Sequence, residues 1–136
     1  MIFTIKGNHY HEKCFPGLND LLHAAEKNPK DYNAMKRRFQ MIAVNAIRRD
    51  LRGEKCEGKV RLHYTFCEPA RGNKRDYDNI CSAGRKIITD ALVKTKTIAD
   101  DSPKYLEYGS NKFIYSDGAP FIRVEIEEVG TPASFS

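Results

Sequence analysis

Alternation of apolar and polar residues predicts four β-strands in this chain. The clearest covers residues 59–67, in which every second residue is apolar and the residues between them are polar. A two-residue period is that of a strand with one buried face. Segments over residues 2–6, 105–115 and 120–128 predict three further strands. Because a Ser-Asp-Gly turn at residues 116–118 separates the last two, they are predicted to form a hairpin.

Apolar residues at helical spacing predict two main helices between the strands. The first has Asp31 as its candidate N-cap and Gly53 as its candidate end. The second is predicted over residues 79–93, with Asp78 as its N-cap. A shorter helix is predicted over residues 18–27. The order of these elements predicts an α+β fold in which two to three helices flank one mixed β-sheet.

Length and composition fit one domain over residues 1–136, with residues 130–136 as a frayed tail. The net charge of +5 suggests a polyanionic partner, which by charge alone is a nucleic acid, an acidic membrane surface or an acidic protein. No apolar run approaches the roughly 18 residues of a membrane span, and the first residues lack a signal-peptide pattern. We therefore expect a cytoplasmic protein with no membrane partner. Its four cysteines are expected to be free thiols, because their spacing matches no zinc site.

Two pairs of aspartates form the candidate metal site. Asp76 and Asp78 are two residues apart, so in an extended segment their carboxylates face the same side. Such carboxylates repel each other unless a cation lies between them, and oxygen ligands suit magnesium or manganese. The link after the second helix is long enough to bring Asp100 and Asp101 back toward this pair. The alternative is that Asp78 only caps the helix and Asp76 only pairs with a neighbouring basic residue.

Basic residues adjoin the acidic motif and follow one flank of the first main helix. Lys86, inside the second helix, is a candidate for stabilising the charge that grows on a phosphate during its hydrolysis. Others would hold the backbone of a nucleic acid beside the carboxylates. These candidate DNA-binding residues are Arg38, Arg49, Arg52, Arg71, Lys74 and Arg75. The alternative for all of them is ordinary solvated surface charge.

The acidic motif and the segment after it resemble the RusA-type Holliday junction resolvases of phages and prophages. Three motifs carry the resemblance: Arg75-Asp76-Tyr77-Asp78-Asn79, Asp90-Ala91-Leu92 and Ile98-Ala99-Asp100-Asp101-Ser102. It covers about residues 74–103, whereas the chain up to Arg52 matches poorly. The resemblance implies a RusA-like fold and a homodimeric, magnesium-dependent endodeoxyribonuclease of recombination and repair. It also implies that manganese can substitute for magnesium. Such an enzyme resolves four-way DNA junctions by paired nicks, in the host cytoplasm if a phage or prophage encodes it.

The resemblance also implies roles for individual residues. Asp76, Asp78 and Asp101 match the metal-binding aspartates of the family, and Asp100 is a secondary contributor. Lys86 matches the catalytic lysine of the family when positions are counted back from the Asp-Ala-Leu motif.

One departure from the family pattern leaves undecided which residue takes the role of the catalytic lysine. The segment between Asp78 and Asp90 is about one helical turn longer than in the bacterial prototype. Counting forward from Asp78 therefore puts Ser82 at the lysine position. Lys74 and Arg85 stay as alternatives for the same role.

Two other functions also fit the sequence. One is a nuclease for other branched DNA, such as flaps or forks. The other is a non-catalytic DNA-binding protein that holds a structural metal. Nucleotide hydrolysis is not expected, because the chain has no Gly-x-x-x-x-Gly-Lys phosphate-binding loop.

Overall fold

The part of the chain that the structure describes contains four strands and two long helices. The computed structural model describes residues 1–6, 25–70 and 77–130, and within these all side chains except those of residues 69 and 77–79. The elements are β1 (Ile2–Lys6), α1 (Pro29–Leu51), β2 (Lys59–Pro69), α2 (Tyr77–Lys94), β3 (Leu106–Ser116) and β4 (Phe121–Gly130). The predicted α+β fold with one mixed sheet is confirmed.

Two predicted segments fall mostly outside the described ranges. Of the predicted helix over residues 18–27, residues 25–27 are described, and they are helical. The predicted tail lies outside them from residue 131 onward. Within the described ranges, no helix has both the length and the apolar character needed to cross a membrane.

The strand order β1-β4-β2-β3 shows that the predicted hairpin was wrong. β3 pairs in parallel with β2, whereas β4 pairs antiparallel with β1 and with β2. Residues 117–120 therefore pass over the end of β2 and do not join paired strands. The reason is burial. The alternating residues Ile122, Val124 and Ile126 of β4 are buried and need neighbours on both sides, whereas β3 has a more exposed pattern and forms an edge.

Helix α1 begins earlier than predicted. Asn28, and not Asp31, is the N-cap, and its side chain accepts a hydrogen bond of 2.9 Å from a first-turn backbone N–H. Pro29 follows at the start of the helix, where its missing N–H removes no helical hydrogen bond. Asp31 lies in the first turn, where the helix dipole favours a negative charge. The predicted end is close to correct, because Arg52 and Gly53 have left-handed φ values of 52° and 84°.

One face of the sheet is covered by the helices and holds the core. The β2 residues Val60, Leu62, Tyr64 and Phe66 are at most 1% exposed. Helix α2 lies against them, and a Cβ added at Gly84 would be 3.0 Å from Cε1 of the Phe66 ring. Helix α1 contacts β1 and α2. No described helix covers the opposite side of the sheet, which we call the open face.

Cysteine burial leads to a prediction about thiol reactivity. Cys56, Cys67 and Cys81 are free thiols, as predicted, and the structure shows that all three are buried; Cys14 lies outside the described residues. Burial raises the pKa of Cys56 to about 12 and also raises the pKa of Cys67, because a thiolate loses its hydration there. Since the thiolate is the reactive form, we expect these three thiols to react with a disulfide reagent only after unfolding. Titration of native and denatured protein measures this, and rapid reaction of two or more native thiols would contradict it.

Candidate functional site

Helix α2 starts inside the acidic motif. It begins at Tyr77, so the backbone of Asp78 lies in its first turn and is neither the predicted N-cap nor part of an extended segment. The helix continues without interruption to Lys94, so the extra turn of sequence before Asp90 lengthens the helix. The side chain of Asp78 and all of Asp76 lie outside the described part of the chain. So do the other predicted residues of the motif, Arg71, Lys74 and Arg75.

The chain turns back at the end of α2. The backbone N–H groups of Thr97 and Ile98 donate to the Leu92 carbonyl at 3.0 and 3.4 Å, and the Thr97 carbonyl accepts from Cys56 N–H at 2.7 Å. Thr97 and Ile98 are buried, which anchors the turn. Two exposed aspartates follow: the Asp100 carboxylate accepts a 2.8 Å hydrogen bond from the backbone N–H of Asp101.

An electrostatic interaction links Asp101, after this turn, to Lys86. The Lys86 ammonium is 3.2 Å from the Asp90 carboxylate, one helical turn further on. The pKa of Lys86 is raised, first by this hydrogen bond and the charge of Asp90 and then by the charge of Asp101. Two carboxylates from different segments therefore favour the charged form of Lys86, and Asp90 is the one within hydrogen-bond distance. The backbone of Asp78 lies about 12 Å away along the axis of the same helix, at 1.5 Å per residue.

The neighbouring cation, Arg85, points to a different surface. Its guanidinium donates to the Cys81 carbonyl at 3.3 Å and lies 5.2 Å from the centre of the Tyr108 ring. The Tyr108 hydroxyl is in turn 3.2 Å from the hydroxyl of Thr89. These contacts hold Arg85 toward β3. Lys86 is therefore the described cation closest to the predicted role, whereas Ser82, at the alternative lysine position, is exposed on α2 and carries no charge.

The described carboxylates do not by themselves form a metal site. Asp100 and Asp101 are exposed and offer the oxygen ligands that magnesium prefers. Among the described side chains, no three metal-ligating residues lie close enough to share an ion. A complete site at this position therefore requires the aspartates of the motif, Asp76 and Asp78.

Arg49, one of the predicted DNA-binding residues on α1, has a structural role. The Arg49 guanidinium donates to the Thr4 carbonyl at 2.6 Å and pairs with Asp50 at 2.8 Å, and its hydrogen bond to Asp50 raises its pKa. Arg49 thus joins α1 to β1. Arg52 is exposed at the end of the helix, and the Arg38 guanidinium is 5.2 Å from the Phe39 ring centre. No hydrogen bond between described residues joins Arg49 or Arg52 to Asp101.

A polar site on the open face was not predicted. Leu62 of β2 pairs with Tyr108, but Tyr64 pairs with Asn111, so two residues of β3, Gly109 and Ser110, lie opposite His63. This bulge lets the Ser110 N–H and hydroxyl both approach His63 Nδ1 at 3.0 Å. A Cβ at Gly109 would be 2.4 Å from the His63 ring, so a larger residue there would displace that ring. The isolated glycine in a strand was the one sequence signal for this bulge.

Comparison with known proteins does not assign the chain to a family. No protein-family model matches the chain, and no curated protein matches it significantly.

Proposed function

We propose that the protein is a magnesium-dependent endodeoxyribonuclease that resolves branched DNA, with four-way junctions as its substrate. The turn that returns the chain after α2, together with the electrostatic interaction of Asp101 with Lys86, is the observation that carries this proposal. Lys86 and the backbone of Asp78 both belong to α2. The interaction of Lys86 with Asp101 therefore links the helix of the first acidic segment to the second acidic segment. A helix cap alone would need only Asp78 and gives no reason for a carboxylate to return from the next segment.

Each residue of the site has a distinct role in the proposal. Asp76, Asp78 and Asp101 would hold magnesium, and the Asp100 carboxylate supports Asp101 by accepting a hydrogen bond from its backbone N–H. When bound, the ion polarises the scissile phosphate and lowers the pKa of a coordinated water. Lys86 offsets the negative charge that grows on the phosphate oxygens. Its pKa is raised, so it stays protonated beyond its usual value of 10.5.

The same proposal includes a homodimer that acts in the cytoplasm. A four-way junction has approximate two-fold symmetry and needs two cuts, and a dimer with two-fold symmetry presents two identical sites. The net charge of +5 favours approach to DNA. Light scattering of the protein alone and with a junction measures the number of chains per junction.

A panel of DNA substrates tests the reaction. End-labelled four-way junction, flap, fork and linear duplex are incubated with magnesium, with manganese or with a chelator, and products are mapped on both strands. Paired, metal-dependent nicks in the junction support the proposal. Preferential cutting of the flap or fork would replace the substrate. Binding of the junction without any cutting would leave a DNA-binding protein instead of an enzyme.

Replacement of Lys86 is expected to slow the proposed reaction without preventing binding. Lys86→Met removes a cation that acts mainly on the transition state, so we expect a loss of about 100- to 1,000-fold in rate at saturating junction. Lys94→Met is the matched control, since Lys94 is an exposed lysine at the end of the same helix. Single-turnover cleavage measures both variants. Equal rates for Lys86→Met and the wild type would assign the cationic role to another residue.

A further inference from the structure

On one half of the open face, around Arg61 of β2, the charged side chains neutralise one another. Arg61 pairs with Glu107 at 2.7 Å and with Glu127 at 3.1 Å, and Lys59 lies 3.8 Å from Glu107. His63 Nε2 lies 3.1 Å from Glu127, and hydrogen bonding to His63 together with the charge of Arg61 lowers the pKa of Glu127. Two carboxylates thus meet two cations and a histidine. This half of the face has little charge to offer a ligand.

The next residues along the strands form a row of cations and hydroxyls. Thr65 of β2 pairs with Lys112 of β3 on one side and with Arg123 of β4 on the other. Arg123 pairs in turn with Thr4 of β1, so the row crosses all four strands. Among the described residues, neither Lys112 nor Arg123 has a carboxylate within ion-pair distance. Arg123 is instead 5.4 Å from the centre of the Phe121 ring. This row, Thr4-Arg123-Thr65-Lys112, is called the cationic row.

A cavity of about 420 Å³ opens on the same face beside the cationic row. Its lining includes Thr65, Ser110, Lys112 and Arg123, which are all hydrogen-bond donors. Glu125 also lines it, and within the described ranges this carboxylate has no ion pair. The cavity therefore has several donors and two available cations against one available anion.

We propose that the cationic row binds the sugar–phosphate backbone of DNA, as a second contact separate from the aspartate site. The inference rests on the proposed function, since it takes DNA to be the substrate. Lysine, arginine, serine and threonine side chains are the groups that proteins use on phosphate oxygens. The row has these groups without a carboxylate between them. It also lies on the face opposite α2, so it holds a part of the DNA other than the one that is cut.

The spacing of the cations favours a chain of phosphates over a single ion. Lys112 and Arg123 are separated by two strand spacings, about 10 Å. One compact ion would have to draw both side chains together over Thr65, whereas successive phosphates of a backbone can meet each cation where it stands. An acidic peptide also carries regularly spaced negative charges. Polyglutamate is therefore the competing ligand whose binding is compared with that of DNA.

Binding in the absence of metal tests this inference apart from cleavage. Fluorescence anisotropy of a labelled four-way junction in chelator is measured over a series of salt concentrations. Lys112→Gln with Arg123→Gln removes two phosphate contacts. We expect the slope of log K against log salt to fall in magnitude by about 1.8, and affinity to fall on the order of tenfold. Lys30→Gln with Lys94→Gln removes the same charge from the helices and is expected to keep the slope of the wild type.

Glu125 allows a test with the opposite sign. Glu125→Gln removes the one available carboxylate of the cavity, so we expect tighter junction binding. An unchanged slope in the Lys112/Arg123 variant, weaker binding by Glu125→Gln, or a preference of the wild type for polyglutamate would each overturn the inference. Circular dichroism verifies that the variants are folded.

Cleavage over a range of junction concentrations separates this inference from the proposed function. The Lys112/Arg123 variant is expected to need about tenfold more junction than the wild type for half-maximal cleavage, whereas the Lys30/Lys94 variant is expected to need the same amount as the wild type. If the wild type binds with the expected salt dependence but never cuts, the nuclease proposal fails and this inference stands. If the wild type cuts the junction, but the salt slope of the Lys112/Arg123 variant equals that of the wild type, the nuclease proposal stands and this inference fails.

Discussion

Replacing Asp78 by asparagine is expected to lower magnesium-dependent cleavage of a four-way junction by at least about 100-fold, which corresponds to about 2.7 kcal/mol of barrier. Asparagine keeps the size of the side chain but removes the negative charge that a hard cation needs in its ligand. Single-turnover cleavage of a labelled junction, with magnesium titrated over a wide range, measures the change. We expect the rate to fall and the magnesium requirement to rise. Asp76→Asn is expected to behave in the same way.

Asp31→Asn is a close control for this experiment. Asp31 lies in the first turn of α1, as Asp78 lies in the first turn of α2. Both substitutions remove a carboxylate from the positive end of a helix, so each costs a similar, small amount of stability. Only Asp78→Asn is expected to affect cleavage. If both variants, or neither, lose activity, a first-turn carboxylate has no special role in the reaction and the proposed metal site is wrong.

Phe66→Ala is expected to destabilise the protein by about 3–5 kcal/mol, the largest stability effect among these predictions. The Phe66 ring is 1% exposed, stacks on Tyr64 with a centroid distance of 5.6 Å, and lies against Gly84 of α2. Its removal leaves a cavity between the sheet and the helix that carries the candidate site. Urea unfolding measures the change as a lower midpoint with an unchanged slope. A loss below about 1 kcal/mol would contradict this packing.

Gly84→Ala tests the same contact from the helix side. Alanine is the better helix former by about 1 kcal/mol, but its Cβ would lie 3.0 Å from the Phe66 ring. We expect overpacking to dominate and Gly84→Ala to be destabilising. Ser82→Ala, at an exposed position of the same helix, has no such neighbour and is expected to be neutral or stabilising. A smaller side chain in Phe66→Leu should reduce the cost of Gly84→Ala, which a double-mutant cycle measures.

The candidate site was predictable in its parts but not in its assembly. Spacing and residue type identified Asp100, Asp101 and Lys86, and the length of the link allowed the chain to return along α2. The charge of Asp101 acts on Lys86 because the buried residues Thr97 and Ile98 anchor the turn after the helix. The choice of Lys86 over Arg85 likewise required the Tyr108 ring, which belongs to another strand.

The sequence by itself determined the strands, the two long helices and the α+β class, because the period of apolar residues is a local property that follows from backbone geometry. Only the tertiary structure decided which strands are neighbours. Strand pairing depends on where each buried face finds its partners, and so β2 lies between β3 and β4 where a hairpin was predicted. The bulge at Gly109 and the cationic row follow from that pairing. Cross-strand neighbours such as Lys112, Thr65 and Arg123 are far apart in the chain, and no local pattern brings them together.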